Sequence, residues 1–233
     1  MANGGEIYQN AYDPLMNYGP SNFDIRHMFK GDLVYQLPFG KGKAFLNRGG
    51  IVDAILGGWQ ASTLFVLQTG KPFTPVVGIA NSSGALSTNG GAQWYPNLIG
   101  NPNVSHQTIQ QWFNACTLMP DGTTQPNGCT NPAWAIPAAG TFGSIARNIL
   151  RGPGLVGVDF SLAKSFRLPI RETGQLQIRI DAQNVINRPN FNLPNQSVVT
   201  ASAGIINSTT DDFNTTNNSY GARQIQLGAR LSF

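Results

Sequence analysis

Charge is what this chain has least of. Acidic and basic residues fill 11% of its 233 positions, against roughly 25% in ordinary soluble domains. The net charge is +4, and the Lys and Arg residues are scattered, so a nucleic-acid footprint is excluded. Long hydrophobic runs are also missing. No stretch approaches about 18 consecutive apolar residues, and no transmembrane helix is expected. Met1-Ala2-Asn3-Gly4-Gly5-Glu6 lacks a basic region followed by an apolar core, so no signal peptide is expected there. With two histidines, a Ser/His/Asp or Cys/His constellation has little room to form. No enzyme, no cofactor and no metal site is expected.

Cysteine is nearly absent too. Cys116 and Cys129 stand in one Pro/Gly/Asn-rich segment. A disulfide closing that loop is the natural reading of an even count, and it implies an oxidising compartment. A metal site would need further ligands, and the nearest histidine, His106, stands alone.

What is present is Gly (27) and Pro (15), with Asn, Gln, Ser and Thr in place of charge. That composition describes an all-β chain with long polar loops. The clearest strand is Arg223 to Phe233. Ile225, Leu227, Ala229, Leu231 and Phe233 fall on one face, and Gln224, Gln226, Gly228, Arg230 and Ser232 on the other. Such a strand fits a lipid-facing barrel wall, and on this segment alone it fits the edge of a soluble sandwich equally well.

Four more alternating runs are expected near 22–37, 58–70, 154–168 and 175–186, with the last strand near 222–233. Phase is lost within Asn184–Phe191. In the third strand Lys164 interrupts the greasy face. It must snorkel to a rim, mark a bulge, or show that the phase is wrong there. Two long connections, near 76–151 and 192–220, are expected as loops, with a short helix at Thr108 to Ala115. Pro169 to Gly174 and the stretch around Gly40 to Gly50 are shorter turns.

Long and short connections therefore alternate, as they do on outer-membrane barrels with long external loops and short periplasmic turns. The expected fold is a partial transmembrane β-barrel of about five antiparallel up-and-down strands. Asp24, Arg26, Lys30, Asp32, Arg179, Asp181 and Arg230 are expected to face the lumen. Tyr35, Trp59 and Phe233 are expected at one rim as an aromatic girdle. The inward charges can line a permeation path or pair with a plug, and a plugged lumen is the favoured reading. His27 reads as a rim histidine or a metal ligand, the former favoured because no second ligand lies at strand spacing. Gly40-Lys41-Gly42-Lys43 lacks phosphate-loop spacing and reads as a basic periplasmic turn.

Four segments in order resemble a known family. They are Tyr18-Gly19-Pro20-Ser21-Asn22-Phe23-Asp24-Ile25-Arg26-His27 with Tyr35-Gln36-Leu37-Pro38-Phe39-Gly40; Gly57-Gly58-Trp59-Gln60 with Leu67-Gln68-Thr69-Gly70-Lys71-Pro72-Phe73-Thr74; Asp181-Ala182-Gln183-Asn184-Val185-Ile186-Asn187-Arg188-Pro189-Asn190-Phe191; and the last strand. Together they resemble the C-terminal part of the barrel of Oar-like TonB-dependent outer-membrane receptors. The resemblance implies a barrel of about 22 strands around an N-terminal plug. It also implies residence in the outer membrane of a Gram-negative-type bacterium. The partners it implies are membrane lipid, the barrel-assembly machinery, an external ligand of unknown identity, and the TonB complex through regions N-terminal to these residues. The strand carrying Ile225, Leu227, Ala229, Leu231 and Phe233 is implied as the assembly signal. Five strands cannot close such a barrel, so the chain is expected to be a section of a longer one. The rival expectation is a secreted β-sandwich or adhesin-like binding module.

Overall fold

The computed structural model describes residues 10, 12–47, 49–77, 94–138, 140–168, 174–210 and 222–233. The chain divides into two compact units. One comprises His27–Gln68, Leu155–Asn190 and Thr209–Phe233; the other comprises Met1–Arg26, Thr69–Gly154 and Phe191–Ser208.

The first unit holds β1 (Met28–Gln36), helix α1 (Ile51–Leu56) and β2 (Trp59–Gln68). The second holds six two-residue strands: β3 (Pro72–Phe73), β4 (Asn97–Leu98), β5 (Thr117–Leu118), β6 (Thr124–Gln125), β7 (Trp134–Ala135) and β8 (Leu150–Arg151). Then β9 (Leu155–Arg167), β10 (Gln175–Gln183) and β11 (Gln224–Ser232) return to the first unit.

The five long strands form one antiparallel sheet in the order β1-β2-β9-β10-β11. Nine residues at about 3.3 Å rise reach about 30 Å, the span a strand needs to cross hydrocarbon. The register carries one face unbroken across the sheet. Tyr35 lies opposite Ala61, Ala61 opposite Leu162, Leu162 opposite Ile180 and Ile180 opposite Leu227. Because the side-chain period is two, a slip of one residue in any strand would turn its apolar set to the other face. No described pairing slips. At Gly31 the Phe65 ring occupies the place of a side chain.

The first strand is shorter than its alternation suggested. Continued pairing of Asn22–His27 would meet Thr69–Thr74, where Pro72 has no N–H to donate. Instead the Asp24 N–H donates to Ser21 O at 2.9 Å, closing a turn. Asp24 and Arg26 therefore stand off the sheet, within the loop unit. β10 also stops early, at Gln183. The phase breaks because Asn184 and Asn187 adopt left-handed backbone, φ 46° and 51°, which asparagine tolerates best among non-glycine residues. The Asn184 side chain closes the turn by bonding Arg188 N–H and carbonyl at 3.1 and 2.9 Å.

β9 outlasts β10 at this end, and side chains replace the missing strand. Val185 N–H donates to Val158 O at 2.8 Å. Asn190 accepts from Val156 N–H at 2.8 Å and donates to Val156 O at 2.9 Å. A buried amide thus satisfies the two backbone groups that a neighbour would have paired.

The loop unit, expected as an unstructured insertion, has a core of its own. Phe73, Phe113, Trp134, Ile145 and Val198 pack in one cluster, and Val77, Trp94 and Ile136 in a second. Trp134 is wholly buried, its indole N–H donating to Asn114 O at 2.6 Å. Buried Thr117 donates to Val198 O at 2.9 Å. Cys116 and Cys129 are bonded, with Cα atoms 5.8 Å apart. Thr108 to Ala115 is not a helix. Its backbone is drawn into tertiary bonds, Trp112 N–H to Gly204 O and Asn114 N–H to Pro102 O, both 2.9 Å. Most of the Pro169–Gly174 turn lies outside the described residues, but Leu168 N–H reaches Gly174 O at 2.9 Å.

Replacing Asn190 by Ala leaves both Val156 backbone groups without that partner. The expected loss is about 2 kcal/mol, read from the urea midpoint of the lipid-reconstituted protein.

Candidate functional site: a two-faced sheet

Away from α1, much of the apolar face of the sheet is exposed. Leu33, Leu227, Leu231 and Phe233 are 60%, 78%, 55% and 80% exposed. A continuous apolar surface of this extent does not persist in water; it requires an apolar medium or a partner. Away from its rings, Lys164, Gly31 and Thr63, the face consists of Phe, Leu, Ile, Val and Ala side chains.

Rings gather at one end of that face. Tyr35, Trp59 and Phe166 lie near the strand ends joined by the shorter connections, and Phe233 directly follows β11 at that end. Phe166 was not picked out from the sequence. The alternation places it beside Leu168, and only the register shows that it falls at the same end as Tyr35 and Trp59, one apolar row beyond the row of Trp59 and Lys164.

Lys164 is the odd residue of the apolar face. The pairing runs through it without a bulge, opposite Trp59 and Ile178. It is 4% exposed. Its ammonium donates to the carbonyl of Gly57, the C-cap of α1. It also lies 5.4 Å from the Trp59 ring centroid and 4.8 Å from that of Phe166. The lysine thus reaches along the wall to a helix end and two aromatic faces, which accommodate a cation.

The opposite face carries the polar residues. Lys30 and Asp32 stand on β1, Arg179 and Asp181 on β10 and Arg230 on β11, all on this face by register. Ser62, Ser161, Asp181 and Gln226 line up across four strands. Asp181 accepts from the Ser161 hydroxyl and from Arg179 Nε, the latter at 2.7 Å. Asp159, two positions from Ser161, accepts from Asn184 N–H at 2.9 Å. A cavity of about 280 Å³ opens among Asp159, Ser161, Arg179, Asp181 and Gln226. Asp159 and Ser161 were not singled out from the sequence, because their partners depend on cross-strand register rather than on spacing.

The other two charges expected in the lumen lie elsewhere. Asp24 is ion-paired with Arg151 inside the loop unit, and Arg151 Nη1 also donates to Gly70 O at 3.2 Å. Arg26 is exposed there and lines a cavity of about 440 Å³ with Trp112, Asn148 and Arg151. In the same unit the Thr123 hydroxyl and amide hold the Asp121 carboxyl below its usual range, and burial raises the Tyr95 phenol. His27 stands exposed one residue before β1.

Connectivity adds a direction. All three stretches of the loop unit join the strands at the end marked by Met28, Gln68, Leu155 and Gln224; the shorter connections join the other end.

Asp24→Ala removes the charge partner of Arg151. The side chains are 23% and 37% exposed, so the expected cost is only about 1 kcal/mol. It should appear as a lower melting temperature of the loop unit, with the sheet's amide protection unchanged.

A sequence model of the outer membrane beta barrel domain family matches residues 1–226. No curated protein and no solved structure matches the chain.

Proposed function

The chain belongs to the outer membrane beta barrel domain family, and from that premise we propose that it forms the C-terminal barrel section of a TonB-dependent receptor. Outer-membrane residence follows from the family itself. One observation supports the barrel-section reading above the others: five strands share a single apolar face, while every long connection joins them at one end. A wall of that kind faces lipid on one side and a polar lumen on the other.

In this reading the long connections are external and the shorter ones periplasmic. Arg179, Asp181, Lys30, Asp32 and Arg230 face the lumen, where water or a plug satisfies them. The aromatic end of the apolar face is the inner rim. Among the described residues β1 and β11 each keep one unpaired edge. Unpaired backbone is not tolerated in hydrocarbon, so both edges meet further strands. Transport coupling rests on the resemblance to Oar-like receptors.

Two experiments test the proposal. The periplasmic domain of TonB should cross-link to the natural protein in outer-membrane vesicles; absence of any cross-link sinks the receptor assignment while leaving the barrel intact. Deleting Phe233 removes the last apolar side chain of the assembly strand. Surface levels measured by antibody binding should fall severalfold with translation unchanged, and normal levels would count against the signal.

A further inference from the structure

A groove of about 260 Å³ runs along the apolar face beside α1. Ala54 and Ile55 of the helix, Trp59, and Leu162, Ile178 and Ile180 of the strands line it. Lys164 lines it as well, with its ammonium held at the helix end. The helix itself is unusually greasy on the outside: Ile51 is 78% exposed, Ile55 60%. Among the described residues of the sheet unit, nothing covers either surface.

The connection that carries α1 is basic. In sequence it carries Lys41, Lys43 and Arg48 and a single acid, Asp53. Asp53 Oδ1 is engaged by the Lys41 N–H at 2.7 Å, which fastens the basic turn to the helix that borders the groove. Lys43 Nζ is held by Gln36 Oε1 at 3.1 Å, at the strand end. An apolar trough, a buried ammonium, an indole and a lysine turn thus belong to one helix and its flanks.

We propose that this groove seats one anionic phospholipid of the inner leaflet, an acyl chain in the trough and the phosphate headgroup at the Lys41–Lys43 turn. The inference rests on the reading that the apolar face meets lipid and that the shorter connections face the periplasm. Two observations select a lipid over a protein partner. The trough is continuous with the face that in this reading meets hydrocarbon, and the turn bonded to Asp53, next to groove-lining Ala54, sets Lys41 and Lys43 against that one acid, the positive balance that binding to anionic headgroups requires. The geometry also gives α1 a purpose. A six-residue helix is too short to be stable alone, but laid along the wall it caps Lys164 and borders the trough.

The test reads Trp59, which lines the groove. The natural protein is reconstituted into phosphatidylcholine bilayers containing brominated phosphatidylglycerol or brominated phosphatidylcholine. The Trp59 signal is the difference between the native protein and Trp59→Phe. Brominated phosphatidylglycerol should half-quench Trp59 at a mole fraction about fivefold lower than brominated phosphatidylcholine, the preference expected from about one lysine at the surface. The double variant Lys41→Gln/Lys43→Gln should bring the two curves together. Coincident curves in the native protein overturn the lipid seat. A preference that survives the double variant overturns the headgroup assignment. No quenching by either lipid overturns the membrane-facing reading itself, and the seat with it.

Discussion

Register is the constraint on which this structure depends. Five strands contribute apolar side chains to one face only because each pairs with its neighbour in a phase that none of them breaks. The constraint is strict in a membrane. A slipped strand in water exposes a few apolar groups; in lipid it would push Asp181 or Arg179 into hydrocarbon, at a cost of several kcal/mol for each charge. Backbone pairing and side-chain parity thus reinforce each other. Among the described residues each strand of the sheet has at least one neighbour, and each pairing fixes the parity of the next.

The two units answer to different solvents. The loop unit follows the rules of water: buried Trp134 and Phe113, a disulfide, and polar groups such as Thr117 bonded inside. The sheet unit inverts part of that pattern, with Phe29, Leu33, Leu227 and Leu231 exposed. Lys164 marks where the inversion is compensated. It stands in an apolar row but spends its charge on a helix carbonyl and two rings, so the row remains usable in lipid.

The sheet was legible from the sequence because a period of two survives without any knowledge of partners. Its ends were less so. Phe23, Ile25 and His27 continue the alternation, but the strand stops where Pro72 would have to pair. Asn184 and Asn187 end β10 by backbone conformation, which no periodicity reports. Helix α1 was invisible because Ile51–Leu56 spans under two turns, too few for a helical period to show. The core of the loop unit was equally hidden: Phe73, Phe113, Trp134 and Val198 come from distant places and share no pattern. At the polar face Arg179 and Asp181 could be read two residues apart on one side of a strand, whereas the bond from Ser161 required the register of β9 against β10.

The Asn190 clamp has a consequence for how such a chain changes over generations. A strand that outlasts its neighbour normally transmits disorder: the next segment must follow the ladder or leave it ragged. Here one side-chain amide closes the ladder at Val156 and releases the chain. Residues beyond it are under no obligation to the wall. A change of length in the following loop, where the core around Val198 tolerates it, can therefore be absorbed without altering the phase of β9 or β10.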